Sequence, residues 1–185
     1  MPSRQDQLLD AAIEVLGTGG PRNLTHRAVD ARAGLPAGSA SNHFRTREAL
    51  LSGIVTRLVE LDRVDWQGLA ATVRPRDAEE LAGALADFVR YATGPGRHRT
   101  LARYALGLEA AVRPALQTEL RRGQEVIVGW GVVWLRDLGS TDPARDTRLV
   151  MDHLDGTMLH QLSMPVADFD PRPGIRAVLA GVLGR

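Results

Sequence analysis

The chain holds no cysteine. Disulfides and thiolate-bound metals are thereby excluded, and stability has to come from packing. Aromatic residues make up only 4% of it. The β-branched residues are scattered, and no alternating run leads into a hairpin turn, so strands are not expected. No apolar run approaches the roughly 18–20 residues that a membrane-crossing helix needs, and the opening MPSRQDQ lacks a signal-peptide core, which points to a cytoplasmic protein without a membrane partner. Catalytic patterns are missing too: there is no cysteine nucleophile, no G-x-S-x-G and no glycine loop to cradle a phosphate, and the acids of the C-terminal half are dispersed along helix surfaces. No enzyme activity and no cofactor are expected. Lysine is also absent, all 23 basic residues being arginine. Beside so many Ala, Gly and Pro, that bias reflects GC-rich coding more than function.

What is present begins with a hydrophobic content of 44% over 185 residues, ample for a buried core. The net charge of +1 conceals an uneven distribution. Between Arg22 and Arg57 six arginines face only Asp30 and Glu48, a net of +4, with His26 and His43 in addition. From Leu58 onward 16 arginines meet 17 acids. A basic N-terminal region suited to a polyanion is thus joined to a nearly neutral remainder.

Apolar spacing of three and four predicts an all-α fold of about nine helices, at residues 4–16, 25–33, 36–44, 47–65, 77–93, 97–112, 114–138, 143–163 and 173–183. The breaks between them are rich in Gly, Pro and Asp. Residues 66–76 read as a linker. The division expected is a basic N-terminal domain at 1–62 and a larger helical domain at 63–185.

The stretch GLPAGSASNHFRT at 34–46 contains no acid and no Val, Ile or Trp. Gly34 closes the second helix, Pro36 suits the first turn of the third, and two short helices joined by a glycine-containing turn make a helix-turn-helix. Small residues have a physical use here. A helix entering a major groove about 12 Å wide must be slim, and Gly38, Ser39, Ala40 and Ser41 keep it so. Ser39, Ser41, Asn42 and His43 carry groups that bond to base edges or phosphates. Arg45 and Arg47 stand where the adjacent strand passes, and helix starts offer N–H groups to phosphate.

Over about residues 7–58 the sequence resembles the tetracycline-repressor (TetR) family of regulators. The resemblance rests on Leu9, Ala11 and Ala12; the glycines before Leu24-Thr25; Thr25, Arg27, Ala28 and Val29; Ala33 to Leu35; Gly38-Ser39; His43-Phe44; and Arg47 to Leu51. It implies that Thr25 and Arg27 lie near phosphates, Ser39 to His43 near bases and phosphates, and Arg47 on a phosphate where the family usually has Lys, with Phe44 in the core. The family commonly places one or two Tyr just before His-Phe. Here Ser41 and Asn42 stand there, so the operator sequence does not carry over. Asn42 suits either adenine or a phosphate.

The family's C-terminal part forms a dimer interface around a ligand pocket. In the 114–138 helix Gly123, Gly129 and Gly131 each cost up to about 1 kcal/mol against Ala, which suggests close helix approach, a bend or room for a ligand. With Trp130 and Trp134, the residues Phe88, Tyr91, Tyr104, Leu108, Met151 and Met158 suit a mainly apolar pocket. Asp152, His153, Asp155 and His160 lie close in sequence, but no HxxxH or HExxH spacing exists, and hydrogen bonding at an interface or pocket is preferred to a metal. The last two helices are apolar on more than one face, as a homodimer contact requires. The reading is a homodimeric repressor released from a pseudo-palindromic double-stranded DNA operator by a small, mainly apolar effector; a helical interaction module without DNA binding is the alternative.

Overall fold

The structure, a computed structural model, describes residues 3–184. The described residues form nine helices and no strand: α1 (Arg4–Gly19), α2 (His26–Ala33), α3 (Ser39–His43), α4 (Arg47–Thr72), α5 (Ala78–Thr93), α6 (Arg97–Ala110), α7 (Pro114–Asp137), α8 (Pro143–Ser163) and α9 (Arg172–Leu183). None of them is long and apolar enough to cross a membrane. The expected boundaries hold to within a few residues, with one exception. The segment read as a linker is helical as far as Thr72. Nothing before Pro75 stops the helix: Gly68 is tolerated, Thr72 donates its hydroxyl to the Gly68 carbonyl, and Trp66 is buried. Only at Arg74, where a following proline disfavours helical backbone, is continuation blocked.

By contacts the chain divides into two compact units: Met1–Val64 with Arg97–Gln124, and Asp65–Gly96 with Glu125–Arg185. The first unit packs α1, α2, α3 and the start of α4 with α6 and the start of α7. Its core is built from Leu8, Ile13, Leu16, Val29, Phe44, Leu50, Leu51, Ile54 and Leu58, and Leu106 and Leu116 join it. Each such side chain, fully buried, is worth about 1.5–3 kcal/mol. The start of α1 is fixed by a capping box in which the Ser3 hydroxyl accepts from the Asp6 N–H and the Asp6 carboxylate accepts from the Ser3 N–H. Hydrogen bonding from Ser3 to the carboxylate, from its side chain first and its backbone N–H second, holds the Asp6 carboxyl below its ordinary range. Close approach of α1 and α6 requires Gly17, since a Cβ there would lie 1.9 Å from the His98 carbonyl oxygen. Arg57 reaches back from α4 to Asp10, donating at 2.8 and 3.0 Å.

In the second unit α5 packs against α8 and α9, and α8 against α9. Leu81, Leu85 and Val89 of α5, Val150, Leu154 and Met158 of α8, and Ile175, Leu179 and Val182 of α9 are all buried. Glu79 is bracketed by Arg172 and Arg176 at 2.8 and 2.7 Å, and Arg90 pairs with Asp170 at 2.8 Å. Of the three glycines of α7, Gly123 packs against Val59 within the first unit and Gly131 against Thr147 within the second, where a Cβ would meet Thr147 Cγ2 at 2.6 Å. A Cβ at Gly129 would meet nothing within 4 Å outside its own helix backbone. Two of the three therefore serve close packing.

Candidate nucleic-acid interface and effector cavity

Thr25 stands at the N-cap of α2 with extended backbone, and its hydroxyl accepts from the Ala28 N–H at 3.2 Å. The helix ends at Gly34, whose φ of 65° lies in the left-handed region that closes helices. The turn runs to Gly38, at φ 93°, and then into α3. Ala40 and Phe44, one helical turn apart, are both buried and fix α3 to the core. Their burial turns Ser41, Asn42 and His43 outward. These three, with Arg27, Arg45 and Thr25, are exposed. Ser41 donates its hydroxyl to the Gly38 carbonyl at 3.0 Å, whereas no hydrogen bond within the described residues engages the side chains of Asn42, His43, Arg27 or Arg45.

Two expected contact residues are placed differently. Ser39 is only 9% exposed, and its hydroxyl donates to the Pro36 carbonyl at 2.7 Å. It belongs to the turn, because in so short a helix the first hydroxyl lies next to the carbonyls that open it. Arg47 is half-buried and donates to the carbonyls of Leu24 and Pro21, both at 3.1 Å. Its guanidinium ties the start of α4 to the loop before α2. Lys, a point charge, has no fork to span two carbonyls in this way.

The second unit contains a cleft of about 900 Å³. Trp66 and Leu69 of α4, with Val73 just beyond its end, form one side, Phe88 and Tyr91 of α5 another, and Arg172 of α9 lines it too, along with Asp65, Glu80, Asp87 and Arg74. The Glu80 carboxyl is held below its ordinary range by hydrogen bonds from Arg76. Trp66 is the hub of an aromatic cluster, its ring 5.0 Å from Phe88, 6.5 Å from Trp130 and 6.3 Å from Trp134. It also lines a smaller chamber of about 30 Å³, together with Trp134, Met151, Leu85, Ile127 and Thr147.

The expected pocket residues thus separate. Phe88 and Tyr91 line the cleft, and Trp134 and Met151 line the chamber. Trp130 touches the cluster through Trp66. Met158 is buried core. Tyr104 and Leu108 belong to the first unit, where Leu108 is 78% exposed and lines neither cavity. The residue missed was Trp66. Ending α4 at residue 65 hid it, although Leu58, Asp62, Trp66, Leu69 and Val73 repeat at helical spacing. Among the described residues no group of three His, Asp or Glu side chains is arranged to hold a metal. The Nε2 of His153, beside Gly174, is buried and has no hydrogen-bond partner among the described residues.

An exposed, slim helix held by two buried anchors behind a tight turn, joined to a helical region with an aromatic cleft, defines a DNA-binding helix-turn-helix regulator. Two family models match the chain: bacterial regulatory proteins of the tetR family over residues 8–54, and the tetracyclin repressor-like C-terminal domain over residues 76–185. The chain belongs to the TetR family.

Among solved structures, a transcriptional regulator from Rhodococcus sp. Rha1 is 22% identical, with a TM-score of 0.78 and 98% of this chain and 97% of that one covered. A TetR-family member from Streptomyces coelicolor A3 is 29% identical at a TM-score of 0.69, covering 98% of both chains. The multidrug binding protein EbrR, complexed with ethidium, is 29% identical at a TM-score of 0.70, with 97% of this chain and 98% of that one covered. No curated protein matches the sequence.

Proposed function

We propose that this TetR-family regulator is a homodimeric, ligand-responsive repressor, released from a pseudo-palindromic operator by a small, mainly apolar effector. The observation that carries the DNA side is the outward presentation of Ser41, Asn42 and His43 over the buried Ala40 and Phe44. In this reading Asn42 and His43 meet base edges, while Thr25, Arg27, Ser41 and Arg45 meet phosphates or neighbouring bases. Ser39 and Arg47 hold the motif in shape. A domain at 1–62 binds DNA and the remainder, 63–185, binds effector and dimerises.

The effector lies in the cleft against Trp66, Phe88 and Tyr91. EbrR, at 29% identity, holds ethidium, a flat aromatic compound of a size that such a cleft accepts. Dimerisation is supported by apolar side chains that α8 leaves exposed, Leu149 and Leu159, and by the gain in affinity when two heads engage two half-sites. Effector binding shifts the population toward a state whose paired heads fit the operator poorly, which requires different effector affinities in the two states.

Fluorescence anisotropy with the gene's own upstream intergenic DNA, at two salt concentrations, tests the DNA side, and ethidium titrated into the DNA-free protein, followed by tryptophan quenching, tests the cleft. Site-specific binding with steep inverse salt dependence, and quenching by ethidium in wild type that is lost in Phe88→Ala, are the expected results. Equal binding to any duplex would sink the regulator, and ethidium quenching that ignores Phe88→Ala would sink the cleft assignment.

A further inference from the structure

Helix α3 has five residues, Ser39–His43, too few to be stable in isolation. Its N-cap is Gly38, which has no side chain with which to cap, and the first N–H groups of a helix have no partner within it. The partner comes from α2. Asp30 is 4% exposed, and its carboxylate accepts from the Gly38 N–H through Oδ2 at 2.8 Å and from the Ala40 N–H through Oδ1 at 2.7 Å. The carbonyl of the same residue accepts from the Leu35 N–H at 3.0 Å. One residue therefore grips both ends of the turn between the two helices.

No described cation pairs with this carboxylate within salt-bridge distance. A buried charge without a counter-ion is costly unless hydrogen bonds satisfy it, and an apolar side chain at position 30 would avoid that cost. What the carboxylate provides and an apolar group does not is direction. Two bonds to N–H groups two residues apart fix both the start of α3 and its rotation. Asn42 follows Ala40 by two residues, so a rotation of α3 moves its amide across the face presented outward. Base-edge hydrogen bonds fail with small displacements, whereas contacts to the regularly spaced phosphates survive them.

We infer that Asp30 is a positioning residue for sequence discrimination: it orients the reading helix, and specific recognition depends on it while general affinity for DNA does not. The inference rests on the proposed DNA-reading role of α3. It adds to that role a buried acid in the otherwise basic segment, whose function is to aim the helix.

The test uses the full-length chain and Asp30→Asn, which keeps the shape but offers one acceptor where two were needed. Amide hydrogen exchange, followed by NMR, reads Gly38 and Ala40 directly. In wild type both are protected despite standing at a helix start; in the variant they exchange about tenfold faster or more, while amides of α1 and α4 keep their rates. In parallel, anisotropy measures binding to the upstream intergenic operator and to a scrambled duplex of equal length. The operator-to-scrambled affinity ratio falls about tenfold or more, with the slope of log affinity against log salt unchanged.

Wild-type Gly38 and Ala40 amides that exchange as if unprotected overturn the proposal, whether or not the variant folds. An unchanged affinity ratio in a folded variant also overturns it and leaves the DNA-binding role standing. A ratio and a salt slope that fall together indicate general loss of the interface and overturn it equally. Wild type that does not discriminate operator from scrambled DNA removes the underlying role itself.

Discussion

The two units solve opposite packing problems. In the first, a contiguous core of leucine, isoleucine and phenylalanine supports an outer face of small and polar side chains, so that α3 is thin outside and anchored inside. In the second, large aromatic side chains stand between helices without filling the space, leaving a cleft and a chamber on either side of Trp66. The difference teaches where rigidity and room are placed: a filled core beneath the exposed face of α3, and an incompletely filled one around the aromatic cleft.

The largest effect expected from this contrast is at Phe44. It is buried under α3, and Gly53 packs so closely that a Cβ there would lie 2.9 Å from its ring. Truncation leaves a cavity that so tight a surrounding cannot close. Phe44→Ala should therefore cost about 3–5 kcal/mol of stability. Urea denaturation with circular dichroism reads this, and a loss under about 1 kcal/mol would show that the first unit is not the well-filled one.

Asn42→Ala should do the reverse, leaving stability within about 0.5 kcal/mol because the side chain is exposed and makes no bond within the fold. Its effect falls on binding: preference at one or two base pairs relaxes by about 1–3 kcal/mol. Affinities for a panel of singly substituted operators measure it. Uniform weakening across the panel would reassign Asn42 to a phosphate.

That Asn42 is exposed was legible in the sequence, and so was most of the fold, because Gly, Pro and capping residues mark helix ends and apolar spacing marks helices. Gly34 and Thr25 illustrate it. Where legibility failed, partners distant in sequence decided the outcome. Ser39 and Ser41 are the same residue type two positions apart, yet only the packing of a five-residue helix makes one buried and the other exposed. Arg47 reads as a phosphate ligand until the fold brings the Pro21 and Leu24 carbonyls to it. The cleft joins Trp66, Phe88 and Arg172, from three helices whose spatial order no local pattern encodes. Trp66 was obscured further by the absence of any helix stop before Pro75, a boundary set by what does not interrupt the chain.

A smaller effect, of opposite sign, is expected at Thr147. It is 2% exposed, it lines the chamber, and its hydroxyl has no hydrogen-bond partner among the described residues. An unsatisfied buried hydroxyl costs about 1–3 kcal/mol, so Thr147→Val, which replaces it with a methyl group of similar shape, should stabilise the protein by about 1 kcal/mol. A rise in the urea midpoint with unchanged slope is the readout. Destabilisation would mean that the hydroxyl is satisfied and that the chamber of the second unit is better packed than its unfilled space implies.

The smallest effect concerns acid and returns to the first unit. The carboxyl of Asp6 is lowered from 3.8 mainly by the Ser3 hydroxyl, then by the Ser3 N–H, so its folded-state pKa is the lower of the two states. A depressed acid contributes stability that is fully present above the unfolded value and fades as pH falls through the folded one. The capping box should therefore hold from neutral pH down to about 4 and then open, with the first turn of α1 fraying before its core contacts at Leu8 and Leu9 are lost. Amide exchange of the first turn against pH checks this, with Asp6→Asn as the control. Fraying that begins well above pH 5, or that persists unchanged in Asp6→Asn, would place its cause elsewhere than in this carboxyl. Because Asp6 stands at the half-exposed first turn of α1, outside the core cluster, the change should remain local to the end of α1 and leave the filled core of the first unit intact.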